Sequence, residues 1–411
     1  MIWNSNNFIT SLIIAISVLI NLLQDVRCEK CQAPEIDQEK VEVLCLNLKK
    51  LSTGIIDNGD GTIKSATYFD YLEDSCSQSS EAIVIRCKIG YQNKKSKGED
   101  AFLNLCKDGK WKYENTDSDD CESICGKLFE EKLKPTPKPL LYQGNEVDIK
   151  LAPWHVAIYR NSSNTFEQIC GGTIIHSNVV ISAAHCFYDT SYGELFDASH
   201  FWVGAGKRFR RYEADEPLAQ FAHVKKIYLP LTFQSQPLRS DIAIVILDRH
   251  FKYNPVIAPV CLDWELGPDS RHSNLAATLY GWGDTKSTGA PSEKLLEINL
   301  IAMENAECKK MVDPNFRSDI SKDKFCAINK SNATACGGDS GGGLITRRQG
   351  YKLTGVVSEG LNADSYCSNG FVTLFTRVRI FHDYIKTTVS ENRNDEQNIK
   401  IQLYNFKDNF N

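Results

Sequence analysis

The stretch Cys336-Gly337-Gly338-Asp339-Ser340-Gly341-Gly342 decides how this 411-residue chain is read. Glycine fills most of it, so the backbone can turn tightly and present its amides. In such a turn the N–H groups of Gly338 and Ser340 can converge on one oxyanion beside a hydroxyl nucleophile. A glycine-rich turn with no chemistry would use the same letters. The rest of the chain must therefore supply what a serine nucleophile needs.

A serine hydroxyl near neutral pH needs a base, and the base needs an orienting carboxylate. Val179-Val180-Ile181-Ser182-Ala183-Ala184-His185-Cys186 reads as a β-branched strand ending in a histidine beside a cysteine. Ser240-Asp241-Ile242-Ala243-Ile244-Val245-Ile246-Leu247 places an aspartate just before an apolar run. Each residue alone has a plainer explanation. His185 is one of eight histidines, and an Asp at a strand edge is usually solvated. Joint occurrence separates the readings: His, Asp and Ser follow one another at 56 and 99 residues, an order that distinguishes this arrangement from other serine hydrolases.

Together these segments resemble the trypsin/chymotrypsin family of serine proteases, whose nucleophile motif is usually G-D-S-G-G. Gly281-Trp282-Gly283 matches a further landmark, and the resemblance covers roughly Leu141 to Glu391. It implies an all-β fold, a chymotrypsin-like double six-stranded β-barrel with a C-terminal helix. It also implies a serine endopeptidase needing no metal or cofactor. Ser340 would attack the scissile carbonyl, His185 would carry the proton, and Asp241 would hold the imidazole tautomer. Gly338 and Ser340 would form the oxyanion hole. By the same resemblance Cys170 pairs with Cys186, Cys308 with Cys326, Cys336 with Cys367, and Cys261 with Cys125 ahead of the activation site. Ile380, Phe381, Tyr384 and Ile385 have helical spacing and fit the C-terminal helix.

Members of this family gain activity when a cut releases an apolar N-terminus whose ammonium pairs with the aspartate before the nucleophile, here Asp339. The new terminus usually lies twelve residues before a Pro-Trp pair. Pro153-Trp154 gives Leu141-Tyr142-Gln143-Gly144, with Gln143 departing from the usual glycine and Leu140 as the residue before the cut. Counting from Ser340 puts Thr334 at the base of the substrate pocket, where a trypsin-like enzyme has an aspartate. Thr373 would shorten the deep wall, Ser358 and Gly360 would line the neck, and Glu359 replaces an aromatic beside it. These residues favour a medium apolar side chain such as leucine, matching Leu140 and suggesting a zymogen that cleaves its own kind.

Composition bounds the remainder. A net charge of −5 and a pI near 6 give no reason to expect nucleic-acid binding. Phe8 to Leu23 is an apolar run too short for a comfortable membrane span, and it fits a secretory signal over residues 1–28, although no basic residue precedes it. A signal anchor is the competing reading. Cleavage after Cys28 lowers the cysteine count from 15 to 14, an even number suited to an oxidising compartment.

Residues 29–125 then form a disulfide-rich module. Its Cys31, Cys45, Cys76, Cys87, Cys106 and Cys121 allow fifteen connectivities. Cys87-Lys88-Ile89-Gly90-Tyr91 and Cys106-Lys107-Asp108-Gly109-Lys110-Trp111 resemble the second half of a sushi module. The extra cysteines and Asn58-Gly59-Asp60-Gly61 bring it nearer the variant found in modular proteases of arthropod immune cascades; a plain stapled spacer is the alternative. Residues 126–140 form a linker in which Pro135, Pro137 and Pro139 favour exposed polyproline II. Residues 141–391 form the protease domain and 392–411 a polar tail. Asn161, Asn329 and Asn332 begin glycosylation sequons, Asn161 in the most surface-like context. Glu213, Asp215 and Glu216 read as a solvated charged turn rather than a calcium loop.

The resemblance points to a secreted zymogen acting early in an extracellular proteolytic cascade. Its expected partners are a downstream protease zymogen as substrate, a recognition protein on the N-terminal module and a serpin-type inhibitor. The alternatives are an idle homologue serving as scaffold or cofactor, and a digestive or toxin protease.

Overall fold

Val179–Ser182 and Ala243–Leu247 are buried on every residue, as expected of apolar β-branched runs with no solvent face. They pair antiparallel, with Ser182 opposite Ala243. That register alone brings the residues following one strand next to those preceding the other, which is where His185 and Asp241 lie.

The computed structural model describes residues 41–57, 63–72, 82–87, 91–93, 101–107, 110–111, 121–129, 145–163, 165–262, 274–283, 290–329, 335, 338–361 and 372–396. They fall into two units, one ending at Glu122 and the other spanning Ser123–Glu396. In the first, β1 (Val41–Asp57), β2 (Ile63–Leu72), β3 (Ala82–Cys87), β4 (Ala101–Lys107) and β5 (Lys110–Trp111) form a five-stranded sheet in the order β2-β1-β3-β4-β5. Cys87 is buried and disulfide-bonded. The turn 58–61, the linker from 130, and Cys31 and Cys76 lie outside the described residues.

In the second unit, six antiparallel strands close a barrel: β7 (His155–Ser162), β8 (Thr165–His176), β9 (Val179–Ser182), β10 (Phe201–Ala205), β11 (Gln220–Tyr228) and β12 (Ala243–Leu247), in the order β8-β9-β12-β11-β10-β7. A second ring follows. It contains β14 (Ala276–Gly281), β15 (Leu296–Met303), β16 (Lys324–Ile328), β17 (Gly343–Arg347), β18 (Tyr351–Leu361) and β19 (Val372–Arg377), ordered β18-β17-β14-β15-β16-β19 and closed by β19 on β18. The short β6 (Asn145–Glu146) joins β15, and β13 (Cys261–Leu262) runs parallel beside β18. Leu279, Leu300, Phe325, Leu344 and Phe375 fill the second core, with Phe325 stacked on Phe375 at 5.6 Å. This is the double six-stranded β-barrel implied by the sequence.

A short helix α1 (Asn305–Met311) is tied to β16 by the Cys308–Cys326 disulfide. The C-terminal helix α2 runs from His382 to Glu396, past position 391. Ile385 and Val389 are buried on it, in line with Phe381 just before its start, four residues apart. Ile380 belongs to the preceding 3-10 turn, Val378–Phe381, and is 42% exposed. No helix among the described residues is long and apolar enough to cross a membrane.

Candidate active site

Asp241 is fully buried, and four groups fix it. The His185 ring Nδ1 lies 2.8 Å from Oδ2, and the His185 backbone N–H donates to Oδ1 at 3.0 Å. From the second barrel the Ser358 hydroxyl donates to Oδ2 at 2.5 Å, and Thr376 Oγ1 donates to the Asp241 carbonyl at 2.8 Å. The carboxylate is thus clamped between both barrels. Ser240 just before it has φ 48°, a left-handed backbone unusual for a side chain larger than glycine. Its N–H donates to Asp323 Oδ2 at 2.7 Å, and its hydroxyl accepts from Thr232 Oγ1 at 2.8 Å. Strain of this kind persists where neighbours over-determine the backbone, as they do here.

Electrostatics follow the geometry. Burial pulls the His185 ring towards neutrality, but the charge and hydrogen bond of Asp241 outweigh it, and the net shift is upward. Burial likewise opposes ionisation of Asp241, yet His185 and the Ser358 hydroxyl hold it below the usual carboxylate range. An ionised carboxylate against Nδ1 favours the tautomer whose Nε2 is left as the basic atom. Cys170 and Cys186 bring sulfur close to His185, but both are spent on one disulfide and offer no thiolate to a metal.

Ser340 sits in a turn that only glycine permits. Gly338 has φ 91° and Gly341 φ 78°. A Cβ on Gly341 would lie 2.1 Å from Ser182 Oγ and 2.6 Å from the Gly171 carbonyl. The turn is therefore seated on the end of the strand leading to His185. Gly171 N–H donates to the Ser340 carbonyl at 2.8 Å, and Ser182 Oγ donates to the Gly171 carbonyl at 2.8 Å. Gln168, which sequence reading passed over, joins the same assembly. Its Nε2 donates to the Gly338 carbonyl at 2.9 Å and to the Cys170 carbonyl at 3.0 Å. It braces the carbonyl of Gly338, the residue whose amide the sequence reading assigns to an oxyanion hole.

Asp339 is 5% exposed, and Gly283 N–H donates to its Oδ1 at 2.8 Å. A Cβ on Gly281 or Gly283 would reach to 2.0 or 2.1 Å of this carboxylate, so the Gly-Trp-Gly landmark is the floor on which it rests. Thr373 is fully buried, its Oγ1 accepting the Ala335 N–H at 3.3 Å, and it lies opposite Gly360 in the β18–β19 register. Beside Gly360 a Cβ would meet nothing nearer than the Ala335 carbonyl at 3.8 Å. Leu140, Leu141, Thr334, Cys336, Cys367 and Asn332 lie outside the described residues. Cys125 and Cys261 are disulfide-bonded, attaching the segment after the N-terminal unit to β13. Asn161 is the last residue but one of β7, followed by the exposed Ser162 and Ser163, and Asn329 Nδ2 donates to the Asn299 carbonyl at 2.6 Å.

Glu216 differs from the expected solvated turn. Its Oε2 lies 2.7 Å from the ammonium of fully buried Lys207, while Oε1 accepts the Arg208 N–H at 2.5 Å and the Phe209 N–H at 3.3 Å. Only Glu213 and Asp215 are exposed. Nothing local in the sequence marks Lys207, two residues past the end of β10, as the partner of Glu216.

The sequence model of the trypsin family matches residues 141–385, well over half of the chain. The chain belongs to the trypsin family. Its members are serine endopeptidases. Among curated proteins it is similar to Modular serine protease of Drosophila melanogaster, 27% identical over 299 residues, covering 69% of this chain and 44% of that protein. Clotting factor C of Tachypleus tridentatus is 26% identical over 277 residues, covering 65% of this chain and 26% of that protein. Mannan-binding lectin serine protease 1 of Mus musculus is 28% identical over 252 residues, 58% of this chain and 34% of that protein. The chain spans less than half the length of these relatives.

Proposed function

We propose that this chain is the secreted zymogen of a serine endopeptidase that activates itself and acts early in an extracellular proteolytic cascade. Ser340 is the nucleophile, His185 the general base and then acid, and Asp241 the residue that fixes the imidazole. The amides of Gly338 and Ser340 stabilise the oxyanion. The observation that carries this assignment is the chain of contacts from Ser358 through Asp241 to His185, with the Ser340 turn seated on the same strand end. An idle scaffold would have no use for a carboxylate buried and held ionised against a histidine, a costly arrangement unless the histidine must be oriented.

Activation takes place between Leu140 and Leu141. Twelve residues then separate the new terminus from Pro153, the linker prolines keep the bond accessible, and Asp339 lies buried where an incoming ammonium would be drawn. The Cys125–Cys261 bridge keeps the N-terminal unit attached after the cut. That unit is a sushi-like module serving recognition. The names of the relatives, a modular serine protease, a clotting factor and a lectin-associated protease, support a cascade role in which the substrate is another zymogen.

The test is to incubate purified full-length zymogen over a range of concentrations and sequence the new N-terminus. A start at Leu-Tyr-Gln-Gly, formed faster at higher concentration and absent in Ser340→Ala, is the expected result. A start after Lys134 or Lys138, made only by an added trypsin-like enzyme, would overturn self-activation. Failure of the processed protein to take a fluorophosphonate label would overturn the nucleophile assignment.

A further inference from the structure

Lys324 is fully buried at the start of β16, and its ammonium lies 2.5 Å from Oε1 of Glu359 on β18. The two strands flank β19, with Lys324 opposite Thr376 and Glu359 opposite Leu374. A lysine buried without a counter-charge is strongly destabilising, so the Glu359 carboxylate is held on the ammonium from one side. The Glu359 side chain nevertheless remains 27% exposed. The register of β18 on β19 shifts between Val357 and Glu359. Irregularities of this kind re-aim side chains beside active sites. Here consecutive residues serve different ends, Ser358 turned in to Asp241 and Glu359 partly out to solvent. The next residue, Gly360, is exposed. The field of the pair reaches the reacting centre, Glu359 favouring a charged His185 ring and Lys324 opposing it.

A carboxylate fixed next to Ser358, partly exposed and backed by a buried cation, can accept from a second, substrate cation. We propose that Glu359, fixed by Lys324, is a specificity-determining residue that takes a lysine or arginine side chain of the substrate near the cleaved bond but outside the primary pocket. The inference rests on the protease reading above and deepens it. The chain carries a matching substrate feature: Lys138 stands two residues before Leu140 in its own linker.

The processed full chain would be assayed on a peptide covering residues 132–145 and on the same peptide with Lys138→Glu. Rates are normalised by fluorophosphonate titration. Reversing the substrate charge replaces attraction by repulsion, so the native peptide should have kcat/KM about tenfold higher, with the gap shrinking in 1 M salt. Removing Glu359 alone would strand a buried cation, so the variant is Lys324→Met with Glu359→Leu, since apolar groups of similar size often replace a buried ion pair without loss of fold. In that variant the ratio should fall below about threefold. A second series walks lysine, glutamine and glutamate through the four positions before a cleaved leucine. A wild-type ratio near one in both series, or a ratio retained in the double variant, overturns the role of Glu359. Charge preference in the walking series with no cut of the linker peptide at Leu140 would support Glu359 and count against the activation site alone. Absence of labelling would remove the protease reading and this inference together.

Discussion

His155 offers a quantitative test of how this fold responds to acid. The ring is 2% exposed, lies 4.9 Å from Trp282 in a tilted stack, and its Nε2 has no hydrogen-bond partner among the described residues. Its Cε1 is tight against the Gly171–Gly342 contact, where a Cβ on Gly171 would come within 3.2 Å. A protonated ring here would be an unpaired charge in a dry site, and burial pushes its pKa down to about 3. In the unfolded chain the same histidine titrates near 6.5. Because the folded pKa is the lower one, the unfolded state binds more protons throughout the interval between the two. Stability therefore falls as pH drops through that interval and is fully present above it. At pH 5.0 the unfolded histidine is about 1.5 units below its pKa while the folded one stays neutral, a penalty of about 2 kcal/mol.

The perturbation is His155→Gln in an inactive Ser340→Ala background, which prevents self-digestion during the measurement. Urea unfolding followed by tryptophan fluorescence at pH 7.5 and pH 5.0 gives the loss on acidification for each protein. Any packing cost of glutamine is independent of pH and cancels in the double difference. The histidine protein should lose about 2 kcal/mol more than the glutamine protein. Equal losses within about 0.5 kcal/mol would mean that His155 is solvated or paired when protonated, and the reasoning would fail.

Three further outcomes follow from the same contacts. The rise of kcat/KM with pH should be centred above about 6.5, because Asp241 raises the His185 pKa and only the neutral ring can accept the Ser340 proton; a midpoint below that value would sink the pairing. Gln168→Leu should lower kcat about tenfold with little change in KM, since it strands the Gly338 carbonyl and loosens the oxyanion turn; unaltered kcat would make Gln168 a packing residue only. Lys207→Met should cost about 3 kcal/mol by leaving the Glu216 carboxylate without its ammonium, and excess EDTA should leave the wild-type melting temperature unmoved; a large EDTA effect would show that a divalent ion, rather than Lys207, neutralises the loop.

What sequence made legible divides along a physical line. The closed barrels, His185 and Asp241 depend on β-branched runs whose pairing register follows from burial on both faces, so the pattern carries the fold directly. The nucleophile turn was readable because only glycine tolerates positive φ at Gly338 and Gly341, and because Ser182 leaves no room for a side chain at Gly341. Ile380 misled because its spacing fits a helix, whereas the chain is still in a 3-10 turn there and the helix starts at His382. Gln168 and Lys207 were illegible for another reason. Each works through partners far away in sequence or through a backbone carbonyl, and neither leaves a periodic trace.

Lys324 makes the point most sharply. Read as a letter, a lysine opening the run Lys324-Phe325-Cys326-Ala327-Ile328 is a solvated strand end, since lysine is almost never fully buried unless paired. Its burial becomes intelligible only once Glu359 is seen across β19, and Glu359 in turn reads as a mere departure from an aromatic until Lys324 is placed beneath it. Neither residue predicts the other, because their pairing depends on the closure of the second barrel rather than on local pattern. Closure also puts this pair next to Ser358, the residue that joins the second barrel to Asp241. The fold thus sets its least predictable charges beside the residue that holds Asp241, which is why specificity has to be measured on peptides that vary around the cleaved residue as well as at it.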